Sequence, residues 1–237
     1  GAMDGFNEYE LKMGSIQTIM AGTGESLATV NKYLEELNTY SDKTIYSFKD
    51  MKDSIGKFTN AGVDLDDAVN AIKGIANEAA VSGANANEAS RAMYNFSQAL
   101  SSGYVKLIDW KSIENANMAT VEFKETLLEV ADGLGTVKKN ADGTYDSLTV
   151  NAQGKASEAF NAMKGFNDSL QAQWMNTEVL TKALKIYATD VRELTEDEKK
   201  LYEQELASIG LSPEQIQKFE QLGIKAADSA TEIKTFS

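Results

Sequence analysis

Cysteine and histidine are both absent from the 237 residues, and these two absences exclude a great deal of chemistry. Without a thiol there is no disulfide framework, no thiolate nucleophile and no zinc finger. Without an imidazole there is no Ser-His triad. Proline occurs once, so few helices are forced to break. No run approaches the roughly 18 apolar residues of a membrane-spanning helix, and no charged, apolar and small-residue succession resembles a signal peptide. Positive charge is scarce as well, with 23 Lys and Arg against 36 Asp and Glu for a net charge of −13. No Lys/Arg cluster interrupts this acidity, so neither tight nucleic-acid binding nor membrane contact is expected of the chain.

What remains is the composition of a folded protein, 42% hydrophobic and 25% charged, with length enough for a sizeable core. The pattern predicts a mainly all-α fold, a compact multi-helix domain of antiparallel helical hairpins. From Asp64 the residues Leu65, Val69, Ile72, Ile75, Ala76 and Ala79 recur at helical spacing. Asn85 with Glu88 reads as a capping box, followed by Ala89, Ala92, Met93, Phe96, Ala99 and Leu100 up to Ser101-Ser102-Gly103. Only "SGAN", Ser82 to Asn85, separates the two helices, so they form a hairpin. The alanines at 76, 79, 80, 89 and 92 allow close approach, with Met93, Tyr94 and Phe96 filling the core and Trp110 docking on it.

Further helices are expected from Ser26 to Leu37, Phe48 to Phe58, Thr120 to Ala131, Ser157 to Leu170 and Asn176 to Ala188. Thr195 with Glu198 caps another, lined by Leu201, Leu206 and Ile209. Ser212-Pro213 with Gln215 starts the next, lined by Ile216, Phe219 and Leu222, with Gly210 and Gly223 as stops. The exception to helix is "TVKKNADGTYDSLTV", Thr136 to Val150, where β-branched and aromatic residues flank Asp142-Gly143 and predict one short β-hairpin.

Several stretches carry partial signatures of chemistry. "AGTGESL", Ala21 to Leu27, has the glycines of a phosphate loop but lacks the Gly-Lys-Ser/Thr ending. Its Glu25-Ser26 is similar to the Glu-Ser pair of goose-type lysozymes and lytic transglycosylases, where the acid protonates the glycosidic oxygen. Those families continue with a Gly-rich Leu-Met-Gln segment, and here "ATVNKYLEELN" follows. The helix dipole favours the plainer reading, with Gly24 ending a loop and Glu25 in the first helical turn. "KNADGTYDSLT" fails as a calcium loop, because Lys138 and Thr149 would take the first and twelfth ligand positions. Asp64, Asp66 and Asp67 fan around a helix start as a solvated cluster, and "TEDEKKLYEQE", Thr195 to Glu205, reads as a solvated helix face. No catalytic, cofactor-binding or metal residue is assigned.

The ordered run "AAVSGAN" followed by "ASRAMYNFSQALSSGYVKLIDWKSI", within Thr44 to Met118, resembles the tape measure domain of long-tailed bacteriophages, and the likeness extends from about Tyr33 to Glu129. "FNDSLQAQWMNTEVLTKALKIY", Phe166 to Tyr187, resembles the continuation found in some members. The family usually has glycines after the tryptophan segment. Here stand Asn117-Met118-Ala119, of which Asn117 tolerates a left-handed turn.

The resemblance implies a virion structural protein and not an enzyme, one that sets tail length, occupies the tail-tube lumen and is made in the host cytoplasm. The implied partners are tail-tube and tail-tip proteins and tail assembly chaperones, with further copies of the chain as another candidate. Gly1-Ala2-Met3 reads as a tag remnant, and "TEIKTFS" stops inside a helical pattern, so an excised part of a longer protein is expected. The expected division is residues 1–3 as remnant, 4–135 as helical tape measure domain, 136–150 as β-hairpin, and 151–237 as a helical continuation packed on the first part and truncated at its C-terminus. Two alternatives stay open on the sequence: a peptidoglycan-cleaving all-α domain with Glu25 as general acid, and a helical adaptor or effector with a groove that includes Met93 and Phe96.

Overall fold

In the computed structural model, which describes residues 16–236, the elements follow in the order α1 (residues 16–23), α2 (Leu27–Lys43), α3 (Phe48–Asn60), α4 (Leu65–Ser82), α5 (Ala86–Leu100), α6 (Leu107–Asn115) and α7 (Val121–Leu134). Then come β1 (Val137–Lys139), β2 (Tyr145–Ser147), α8 (Phe166–Ser169), α9 (Thr177–Ala188), α10 (Glu196–Ser208) and α11 (Pro213–Phe236). The expected remnant at residues 1–3 lies outside the described residues. Side-chain oxygens satisfy the first free amides of most helices. Ser26, Ser47, Asn85, Thr120, Asn176 and Thr195 each accept from the amide three residues on. Both expected capping boxes, Asn85–Glu88 and Thr195–Glu198, are formed in full.

The fold is mainly helical with one short antiparallel hairpin, as the pattern predicts. Lys138 faces Asp146 across β1 and β2. The loop turns at Asn140–Gly143, with Gly143 at φ 86° and Asp142 accepting from the amide and hydroxyl of Thr144. Two strands of three residues are marginal alone. The hairpin leans on α7, and β2 gains a bridge between Tyr145 and Phe160.

α4 is the central helix. Its buried positions, among them Leu65, Val69, Ile72, Gly74, Ile75, Asn77, Glu78 and Ala79, face nearly all directions, and α2, α3, α5, α9 and α11 surround it. The approach to α9 is closest at Gly74, where an added Cβ would lie 2.1 Å from the Leu184 carbonyl oxygen. The turn after α5 is stitched to the entry of α9. The Val105 amide donates to Met175 O at 2.8 Å, and the Thr177 amide to Gly103 O at 3.1 Å.

Aromatic rings carry this connection inward. Trp110 packs on Phe123 and Phe166 with centroids 5.9 and 5.2 Å apart, Phe123 meets Phe96 and Tyr187 edge-on, and Phe166 meets Trp174. Trp110 is fully buried, as expected.

Some expectations need correction. Ser157 to Leu170 is not a helix. Residues 157–165 run irregularly, because Phe160 exchanges backbone bonds with Tyr145, and Gly165 at φ 79° precedes only the single turn of α8. α2 continues past Leu37 to Lys43. Gly210 does close its helix at φ 89°, but Gly223 does not: α11 runs through it, and the missing side chain is needed for packing. Leu201 is 66% exposed, while Tyr202 and Leu206 face inward. Asn117 has φ 60° and makes the left-handed turn that its residue type permits.

Candidate functional site

The sequence-derived candidates do not converge on a reaction centre. Glu25 lies one residue before the Ser26 cap, not in the first turn, and is exposed beside Gly24. A glycosidic acid works from an apolar enclosure, and among the described residues Glu25 stands exposed. Asp64 occupies the cap position of α4 without a side-chain cap bond. Asp66 accepts from Asn70 Nδ2, and Asp67 turns toward Lys182 and Lys185. Burial raises the Asp67 pKa against the opposing pull of those lysines. Among the described residues no group of three or more His, Cys, Asp or Glu side chains could hold a metal ion. No helix among them is long and apolar enough to cross a membrane.

Met93 and Phe96 are 1% and 0% exposed, which closes the groove that a helical adaptor would have built from them. Tyr94 departs from the expected core role. It is 46% exposed, with the Lys57 ammonium 4.5 Å from its ring centroid.

A buried polar cluster is the feature that sequence reasoning missed. Tyr40 donates its hydroxyl to Asn77 Oδ1 at 2.6 Å, and Asn77 Nδ2 donates to Tyr187 O at 2.8 Å, tying α2, α4 and α9 together. Next to Asn77, Glu78 is 1% exposed, and among the described residues neither its Oε2 nor the buried Tyr46 hydroxyl has a hydrogen-bond partner. Burial pushes the Glu78 carboxyl well above its usual range, and the charge of Glu122 adds to this. Burial likewise raises Tyr46 and Tyr187, both of which feel Glu78. A neutral carboxyl wedged among tyrosines is a structural burden, and it lines none of the three clefts described below. The sequence carried no signal for it, because Asp66, Asn70, Lys73 and Asn77 recur at helical spacing and place a polar face beside Glu78.

A second cluster joins α9 to α10. Lys182 and Lys185 contact the two oxygens of Glu205 at 2.8 and 2.6 Å. Burial alone would raise the Glu205 pKa, yet the two lysine hydrogen bonds outweigh it and the carboxyl titrates low.

Three clefts stand out among the described residues. One of about 310 Å³ runs between α7 and α11, one of about 370 Å³ lies among α2, α4, α9 and α11, and one of about 730 Å³ lies between residues 151–159 and α8. Each mixes lysines with carboxylates, so none presents a field of one sign.

This geometry, a packed helical unit without a convergent site, agrees with the comparisons. The family described as "Tape measure protein" matches residues 5–184. A relative named "Tape measure protein" from Pneumococcus phage Dp-1 is 24% identical over 166 residues, covering 67% of this chain. The chain spans 14% of that relative's length. No solved structure matches. With the family match extending from residue 5 into α9, the chain belongs to the tape measure protein family.

Proposed function

We propose that this segment is a folded docking or assembly domain of a tail tape measure protein, and not part of the rod that measures length. The observation that carries the reading is the ring network centred on Phe123, which meets Phe96, Trp110 and Tyr187, with Phe166 and Trp174 attached through Trp110. It joins residues on both sides of the hairpin, which supports residues 16–135 and 151–236 acting as one unit with 136–150 at its edge. A ruler needs continuous helix at about 1.5 Å per residue, which would extend 237 residues to about 350 Å. The longest helix among the described residues has 24, or about 36 Å.

The parent protein then sets tail length and occupies the tube lumen, assembled in the host cytoplasm. This domain meets tail-tube or tail-tip proteins or assembly chaperones, with further copies of itself as another candidate partner. The net charge of −13 suits a chain that shares a channel with DNA without holding its phosphates.

Small-angle scattering and binding titrations test the proposal. A radius of gyration near ~18 Å, with saturable binding to tail-tube, tail-tip or chaperone protein and no DNA retention at low salt, is expected. A rod-like profile of several hundred ångströms, or tight DNA binding, overturns it.

A further inference from the structure

α11 is divided at Gly223 into two halves that are anchored differently. An added Cβ at Gly223 would lie 2.1 Å from Thr189 O and 2.7 Å from Ile186 O, so the helix backbone itself rests on the end of α9. On the N-terminal side Phe219 and Ile216 are 1% and 8% exposed, and Lys218 and Gln215 both contact Glu129, at 2.6 and 3.2 Å. On the C-terminal side the buried residues are Ala226 and Ala230, with Ile233 partly covered. An alanine methyl contributes only a fraction of what a buried Phe or Ile does.

Among the described residues, the ion pairs of this second half are of a weak kind. Lys225 pairs with Glu122 at 3.4 Å and Asp228 with Arg192 at 2.7 Å, all four side chains about half exposed, and Lys234 donates to Asp42 O at 2.6 Å. Exposed pairs contribute little and are screened by salt. The cleft of about 370 Å³ borders this same half through Ala227, Ala230 and Thr231, so the packing there is incomplete. A glycine inside a helix also lowers the local helix propensity.

The geometry points to residues 224–236 as a separable strap that peels from α4 and α9 as a unit about Gly223, while residues 213–222 stay docked. Opening uncovers the cleft wall formed by Tyr40, Asn77 and Ala188 and leaves the α4–α9 pairing intact. The inference concerns this chain alone and does not depend on the docking role proposed above.

Amide hydrogen exchange on the whole chain, read by mass spectrometry with overlapping peptides, tests it. Residues 224–236 are expected to exchange at a common rate, roughly tenfold or more above that of 213–222, with a step at Gly223. Raising salt from about 0.05 to 0.5 M accelerates the strap several-fold. Asp228→Asn has a similar effect, while α4 and α9 stay unchanged. A rate that decays smoothly from the C-terminus is end fraying, and one rate shared across 213–236 means a single body. Either result overturns the strap, as does a strap rate that does not respond to salt.

Discussion

The carbonyl oxygen of Leu184 occupies the space that a side chain on Gly74 would need, with only 2.1 Å to an added Cβ. The neighbour is backbone of α9 and cannot rotate aside, so the central helix pair sets its own spacing through one missing methyl. Gly74→Ala is expected to lower the unfolding free energy by about 3 kcal/mol or more, toward the upper range of overpacking. Gly56, inside α3 with nothing within 4 Å of an added Cβ, is the control. Gly56→Ala should stabilise by about 0.5–1 kcal/mol. Urea titrations of both variants make the comparison, and equal effects would contradict the packing argument.

Glu78 makes stability depend on pH in a definite direction. In the unfolded chain its carboxyl ionises near ~4.3, and in the fold burial holds it protonated to well above that. Below the unfolded value the group is neutral in both states, and its contribution is fully present. As pH rises the unfolded chain loses the proton first, and stability declines until the folded-state value is passed. Glu78→Gln removes the titration. Its urea midpoint, measured against the parent, should rise between pH 5 and pH 8. A difference that stays constant with pH would show that the carboxyl is not held neutral.

Trp110 lies at the junction of α6, α7 and α8, fully buried against Phe123 and Phe166. Trp110→Ala should cost about 3–5 kcal/mol through the cavity it leaves. Trp110→Phe, which keeps a ring and removes an indole N–H that has no partner among the described residues, should cost less than half of that. Thermal unfolding followed by far-ultraviolet dichroism would rank the two.

Asn117 combines a positive φ of 60° with a 2.6 Å hydrogen bond from its Nδ2 to Glu88 Oε2. Asn117→Ala loses the bond and adds backbone strain, for an expected cost of about 1–2 kcal/mol. Asn117→Gly loses the same bond but relieves the strain, and should lie within about 0.5 kcal/mol of the parent. If the two variants were equally unstable, the hydrogen bond and not the backbone would govern this turn.

The helix starts were legible in the sequence because a cap is a local device: Asn85 and Glu88, or Thr195 and Glu198, need only each other and the intervening amides. The hairpin was legible for the same reason, through Asp142 and Gly143. What misled was settled at a distance. Ser157 to Leu170 has helix-forming composition, but a bridge to Tyr145 takes Phe160 out of helix. Gly223 looks like a stop until Thr189 and Ile186 are seen beneath it. Glu78 reads as an ordinary surface glutamate, and its burial follows from packing against elements distant in sequence. No candidate site residue was assigned, and the structure brings none of the weighed candidates together into one.

The pairing of α4 with α9 also sets a timetable. Asn77 waits for Tyr187, 110 residues later in the chain, and at a synthesis rate of about 5–20 residues per second that is an interval of roughly 5–20 s. During it α4 has already emerged, with Gly74 and Asn77 still without the backbone of α9 that they meet in the fold. The face of α4 that meets α9 therefore stays open long after α2, α3 and α5 can cover its other faces.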